Sequence, residues 1–99
     1  MRMLCTVTIP VHSGNKALAD GSIGHIIGNF LETWKPEGAY FGVNADGNRT
    51  GYFIVDVKDP ATMPPMFEPL FTKLDAKIQI TPVMSAADLQ TGIAAFQKG

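Results

Sequence analysis

The sequence is poor in the residue types that most often reveal a function. It holds one cysteine, Cys5, and two histidines, His12 and His25, among 99 residues. A single cysteine excludes an intramolecular disulfide. Neither histidine has a second ligand at the local spacing of a metal site, and no glycine-rich phosphate loop follows a strand. The sequence therefore predicts neither a metal nor a cofactor.

An excess of charge of one sign and a long apolar run are also missing. Eight basic residues stand against nine acidic ones, a formal net charge of −1 at pH 7. Such a balance gives no positive field to collect phosphates, which argues against a nucleic acid partner. No apolar run approaches the roughly 20 residues of a membrane span, and residues 1–10 lack the features of a secretory signal. By elimination we expect a cytoplasmic protein with no membrane partner.

The composition that remains is that of a globular domain. Hydrophobic residues make up 45% of the chain and charged residues 17%, which is ordinary for a folded protein. A chain of this length holds one hydrophobic core rather than two. We therefore predict a single domain over residues 1–99.

Alternating apolar residues predict four strands, over residues 4–11, 39–44, 50–57 and 77–83. Residues 44–48, with the sequence NADGN, have the turn chemistry of a hairpin loop between the second and third strands. The first strand is rich in threonine, valine and isoleucine and is ended by Pro10, and the fourth is ended by Pro82 and Ser85.

Apolar residues at helical spacing predict two helices. The first carries a stripe over residues 23–34 and begins either near Ser13 or at residues 20–22; the second carries the same stripe over residues 63–74. Asp59 and Pro60 suit the start of the second helix, where Pro69 predicts a kink or a later beginning. Ser85 and Asp88 resemble a capping box that opens a short C-terminal helix.

The order of these elements is β-α-β-β-α-β plus a terminal helix. This order predicts a ferredoxin-like α+β fold, in which one four-stranded antiparallel sheet carries both helices on one face. The first and third strands are central in that topology.

The third strand indicates which side of the sheet meets the helices. Phe53, Val55 and Val57 are uniformly apolar, so we place them inward, together with Cys5, Val7 and Ile9 of the first strand and Phe41 and Val43 of the second. The outer face then holds Leu4, Thr6, Thr8, Tyr40, Tyr52, Ile54 and Asp56. A mixed apolar and polar face of this kind usually marks an interaction surface, which a second copy across a two-fold axis would cover.

The element order and this half-polar outer face resemble the dimeric α/β-barrel proteins, over roughly residues 3–84. That group includes muconolactone isomerases, antibiotic-synthesis monooxygenases and many small bacterial proteins. The resemblance is one of architecture, since no catalytic motif of the group matches the chain. It implies a homodimer with a small-molecule cavity between sheet and helices.

Six residues are candidates for a site. Asp56, in a partly dry space closed by a partner, would have a raised pKa and act as a general base. His12, at the end of the first strand, would transfer protons at the rim of a cleft. Tyr40 and Tyr52 would hold a flat ligand, with Thr6 and Thr8 beside them. These residues also have plainer interpretations: Asp56 as a hydrated acid, His12 as a turn histidine, and the two tyrosines as a pair that packs across neighbouring strands.

Two hypotheses follow. In the first, a dimeric protein binds a small organic molecule in the cavity, as a cofactor-free isomerase or monooxygenase. In the second, the protein is a non-catalytic assembly or ligand-sensing module, and the outer face only builds the dimer. The sequence leaves open whether the protein is an enzyme.

Overall fold

The alternation of apolar residues produces a four-stranded antiparallel sheet. The computed structural model describes residues 1–99, and the strand order is β2-β3-β1-β4. The central position predicted for the first and third strands is confirmed, and the architecture is compatible with a ferredoxin-like fold. In chain order the elements are β1 (Arg2–Ile9), α1 (Val11–Ala19), α2 (Ser22–Trp34), β2 (Gly38–Val43), β3 (Arg49–Asp56), a 3-10 turn (Pro60–Thr62), α3 (Met63–Leu74), β4 (Lys77–Pro82) and α4 (Ala86–Gln97).

The first predicted helix, α2, begins at Ser22, which confirms the later of its two possible starts, and a separate helix, α1, precedes it. The turn between α1 and α2 contains Gly21, whose φ of 79° lies in the left-handed region that glycine adopts without strain. The side chain of Asp20 accepts a hydrogen bond from the backbone N–H of Ser22 at 2.8 Å, which fixes the turn. β1 also ends earlier than predicted, because Pro10 caps α1 and cannot donate to the sheet.

The helix start predicted at Ser85 is confirmed, and the one predicted at Asp59 is confirmed in part. The Asp59 side chain accepts a hydrogen bond from the N–H of Ala61, although the turn it opens is a 3-10 turn and α3 begins at Met63. Ser85 and Asp88 form a reciprocal capping box at the start of α4.

The core lies between the sheet and helices α2 and α3. The inward positions of the central strands are buried as predicted, with relative exposures of 0% for Cys5 and Phe53 and 2% for Val55. Phe30 of α2 packs on Phe53 with ring centroids 4.8 Å apart. Burying each large apolar side chain stabilises the fold by roughly 1.5–3 kcal/mol. The thirteen core residues are Cys5, Val7, Ile9, Ala17, Phe30, Phe53, Val55, Val57, Met66, Phe67, Leu70, Leu74 and Ala76.

The edge strand β2 departs from the expected burial. Phe41 pairs with Gly51 and lies on the helix side of the sheet, as predicted, yet Phe41 is 59% exposed and Val43 72% exposed. The helix layer reaches β3 through the Phe30–Phe53 contact and ends short of the outer half of β2. The inner face of the sheet is therefore open along this edge.

The C-terminal helix α4 buries none of its residues, and an ion pair at 3.3 Å between Asp88 and Arg2 links it to β1. Every residue from Ala86 to Gly99 is exposed. The molecule is elongated, 56 × 30 × 17 Å, with a radius of gyration of 15.9 Å, whereas a compact domain of this length has about 13 Å. The capping box defines where α4 begins, but no core defines where it lies.

Gly51 leaves room for the ring of Phe53, and this gives a test of the packing. A Cβ added at Gly51 would lie 2.8 Å from two ring atoms of the fully buried Phe53. We expect Gly51→Ala to lower the free energy of unfolding by about 1–3 kcal/mol, because the ring must shift inside a packed core. Urea denaturation measures the change.

The matched control is Gly42→Ala on the neighbouring strand, where an added Cβ meets nothing within 4 Å. We expect that change to stay within about 0.5 kcal/mol. Equal losses for the two variants would contradict the packing described for Phe53.

Candidate functional site

The outer face of the sheet brings four of the six candidate residues together. Tyr52 of β3 pairs with Tyr40 on one side and with Thr6 on the other, while Thr8 lies two residues further along β1. Directly paired residues on one face have Cβ atoms about 4.5–5.5 Å apart. Tyr40 is 68% exposed, and Tyr52, Thr6 and Thr8 are half-buried. They form a continuous strip of aromatic rings and hydroxyls.

Asp56 lies at one end of this face, at the last position of β3. Its Oδ1 accepts a hydrogen bond from the Met1 amine at 3.0 Å, and the side chain is 57% exposed. That hydrogen bond, with smaller contributions from the positive charges of Met1, Lys58 and Arg2, lowers the pKa of the carboxyl below its ordinary value. In a single chain the shift is thus opposite to the one a general base requires.

His12 lies at the other end of the molecule. It occupies the first turn of α1, not a turn after the strand, and it is exposed. Ile9 pairs with Arg49, whereas Arg2 pairs with Asp56, so the two ends of the sheet are roughly 23 Å apart at about 3.3 Å per residue. The structure therefore does not bring His12 and Asp56 together.

An open polar groove surrounds His12. The groove has a volume of about 680 Å³, and both histidines, two lysines and two aspartates line it. The Ser13 hydroxyl donates a hydrogen bond to Asp75 at 2.6 Å across it. The charges of its lysines and aspartates balance, and no three His, Cys, Asp or Glu side chains in the chain are close enough to hold a metal ion.

An apolar pocket lies on the opposite face of the sheet, between its inner side and α2. We call it the inner pocket. Ile23 and Ile27 enter it from successive turns of α2, and Phe53 and Phe41 line it from the sheet, with ring centroids 5.6 Å apart in an edge-to-face arrangement. Its volume is about 200 Å³. The lining consists of Val7, Ile9, Ile23, Ile27, Phe41, Gly42, Arg49, Thr50, Gly51 and Phe53.

Arg49 is the one charged residue of this lining. It shares the inward side of β3 with Gly51 and Phe53, since side chains alternate along a strand. Its Nη2 donates a hydrogen bond to the Asn15 side chain of α1 at 2.9 Å. Arg49 is not among the six candidate residues, although the period-two pattern that predicts an inward Phe53 also predicts an inward Arg49.

The thiol of Cys5 is buried within the core and does not line the pocket. Burial raises its pKa to about 11, because the thiolate would lose its hydration. Cys5 is thus a core residue and not a nucleophile.

We expect the Cys5 thiol to resist an aromatic disulfide reagent at pH 8 in the folded protein. Reaction should become complete in denaturant, because unfolding exposes the thiol and returns its pKa to the ordinary range. The absorbance of the released thiolate measures the reaction. Rapid reaction of the native protein, at the rate of the unfolded chain, would contradict the burial of Cys5.

None of the four α-helices combines the length and apolarity needed to cross a bilayer. Comparison of the chain with protein-family models, with curated proteins and with solved structures found no match. A function must therefore be inferred from the geometry of the chain itself.

Proposed function

We propose that this protein is a homodimer of the dimeric α/β-barrel type that binds a small organic molecule in the inner pocket. The observation that carries the proposal is the pocket itself: aliphatic and aromatic side chains surround a concave space on the inner face of the sheet. Ligand sites are typically concave and mostly apolar, with a few polar groups that set orientation.

The volume of the inner pocket limits the size of the ligand. At about 200 Å³ it is smaller than the roughly 300–1,000 Å³ of sites for drug-sized molecules. An engineered apolar cavity of about 150 Å³ holds benzene. The inner pocket thus suits a molecule with one ring or a short branched chain.

Binding is better supported than catalysis. The lining holds no carboxylate, imidazole or thiol that would move a proton, and Asp56 and His12 lie outside it. A ligand-sensing or carrier role needs only the pocket and the dimer. Isomerase or monooxygenase chemistry would require a further acid or base at the pocket.

The outer face supports the dimer. The strip of Tyr40, Tyr52 and Thr6 lies beside Leu4 and Ile54, which also form a pair on this face. Rings and aliphatic side chains mixed with hydroxyls have the composition of an interface. The four strands lie about 4.8 Å apart and each is about six residues long, at about 3.3 Å per residue, so the outer face has an area of about 400 Å². A stable interface buries about 800 Å² per partner, so the sheet alone falls short.

Helix α4 supplies the missing contact area in this proposal. Leu89, Ile93 and Phe96 are 49%, 46% and 86% exposed, and their spacing of i, i+4 and i+7 places them on one stripe. A helix of 12 residues is only marginally stable in water without packing. We therefore propose that the second copy packs on this stripe as well as on the outer face of the sheet.

The dimer is tested by charge placed in the strip. We expect Tyr52→Lys to shift the protein from dimer to monomer, because two copies would bring like charges together in a desolvated interface. Native mass spectrometry and light scattering measure the mass. Glu68→Lys on the exposed side of α3 is the control that introduces the same side chain on the helix side. A monomeric wild-type protein would refute the dimer.

The ligand site is tested by filling the pocket. We expect wild-type protein to bind the neutral probe phenylacetamide with about millimolar affinity, as fits a ligand of about ten non-hydrogen atoms. Ile27→Trp should abolish this binding because the indole occupies the inner pocket. Ligand-observed NMR measures both.

Gly28→Ala is the matched control for Ile27→Trp. Gly28 follows Ile27 on α2, is exposed, and an added Cβ there meets nothing within 4 Å. We expect the probe to bind this variant as it binds the wild type. Binding to Ile27→Trp at wild-type strength would place the probe elsewhere and refute the inner pocket as the ligand site.

A further inference from the structure

We infer that the inner pocket selects a small organic monocarboxylate, an apolar ring or short chain whose carboxylate is bound by Arg49. This inference rests on the proposed binding function and names the class of ligand for the same site. Four features of Arg49 carry it: its face, its free donors, its support from α1 and its position as the one charge in the lining.

Arg49 lies on the inward face of the sheet, which is an unusual place for a charged residue. Arg49 is the only charged residue among the inward positions of the four strands; the others are apolar. A charge beside an apolar surface costs free energy unless it is paired or hydrated. The half-buried Arg49 side chain lies along the pocket that Ile9 and Phe41 also line.

The guanidinium has donors to spare. An arginine carries five N–H donors and no acceptor, and the structure gives Arg49 one hydrogen bond, to the neutral side chain of Asn15. The three ion pairs of the chain join the Met1 amine to Asp56 and Arg2 to Glu37 and Asp88. All three lie at the opposite end of the sheet. The charge of Arg49 is thus oriented by Asn15 but not neutralised by any acid.

Helix α1 holds the guanidinium in place. The head group lies against the buried Gly14, where an added Cβ would be 2.7 Å from Nη1 and 3.4 Å from Cδ. Together with the Asn15 hydrogen bond, this contact holds the planar group against two neighbouring residues of α1, at the edge of the inner pocket. A fixed guanidinium matches the two oxygens of a carboxylate and forms paired, charge-assisted hydrogen bonds with them.

The lining also sets the charge of the ligand. With one cation and no second donor side chain other than Thr50, whose hydroxyl already donates to the Asn48 carbonyl, the pocket can neutralise one negative charge. A dianionic phosphate ester would leave a charge unpaired against Phe53 and the isoleucines. A monocarboxylate of about ten non-hydrogen atoms in all, most of them apolar, satisfies both parts of the site.

A matched pair of probes tests the inference. Phenylacetate and phenylacetamide have the same shape and differ in charge. We expect wild-type protein to bind phenylacetate about tenfold more tightly, because a hydrogen bond between two charged groups is stronger than one to a neutral amide, although partial exposure to solvent weakens it. Arg49→Gln should remove the preference, because the variant loses more affinity for phenylacetate than for phenylacetamide. Titrations followed by protein NMR measure the four affinities.

Two further variants keep the test independent of how Arg49→Gln folds. Gly14→Ala retains the charge and favours the helix but displaces the guanidinium, so the preference for phenylacetate should fall several-fold. Lys16→Gln removes an exposed cation of α1 that lies outside the inner pocket, and the preference should persist.

The outcomes separate the inference from the proposed function. Equal wild-type affinities for the two probes, with binding still lost in Ile27→Trp, would overturn the carboxylate assignment and leave the pocket in place. A preference that survives Arg49→Gln would overturn the role of Arg49. Absence of binding by either probe would overturn both the ligand class and the proposed function.

Discussion

The packing of Phe53 against Phe30 is the contact on which the rest of the structure depends. It joins β3 to α2 with ring centroids 4.8 Å apart and fixes which side of the sheet is buried. Because side chains alternate with a period of two, this choice determines the side of every other residue in the sheet, and a slip of one residue would exchange the two faces. The inward Arg49 and the outward Tyr52 are both consequences of it.

The inner pocket arises from the same contact. The Phe53 ring folds over Gly51, which has no side chain to fill the space, and the helix layer stops before it covers Phe41. A larger residue at position 51 or a helix shifted toward β2 would close the pocket. An ordinary core would have covered this edge, since exposed apolar surface is unfavourable. The open edge is therefore informative about function in a way that a buried one is not.

Much of the fold could be predicted from local patterns, because the causes are local. Turn residues set the hairpin, Ser85 and Asp88 cap α4 through contacts three residues apart, and alternation assigned the faces of β1 and β3. The failures are non-local. Nothing near Phe41 in the sequence shows where the helix layer ends, and the Met1 amine reaches Asp56 only because β1 and β3 are paired. The start of α2 after Gly21 is one of the two that the sequence allows, and local pattern alone does not choose between them.

The candidate site was predicted less well, and the reason is also physical. Selection by residue type favours groups that titrate near neutral pH, and it chose Asp56 and His12, which lie at opposite ends of the sheet. A pocket that only binds a ligand needs shape, apolar surface and one fixed charge. Arg49 can supply that charge because Asn15 and Gly14 of α1 hold its head group, and these contacts form only in the folded chain. Since successive residues of β3 lie on opposite faces, Tyr52 outward and Phe53 inward, the proposed self-association and the proposed ligand binding would use different side chains of one strand. Each of the two proposed functions should therefore be separable from the other by substitution.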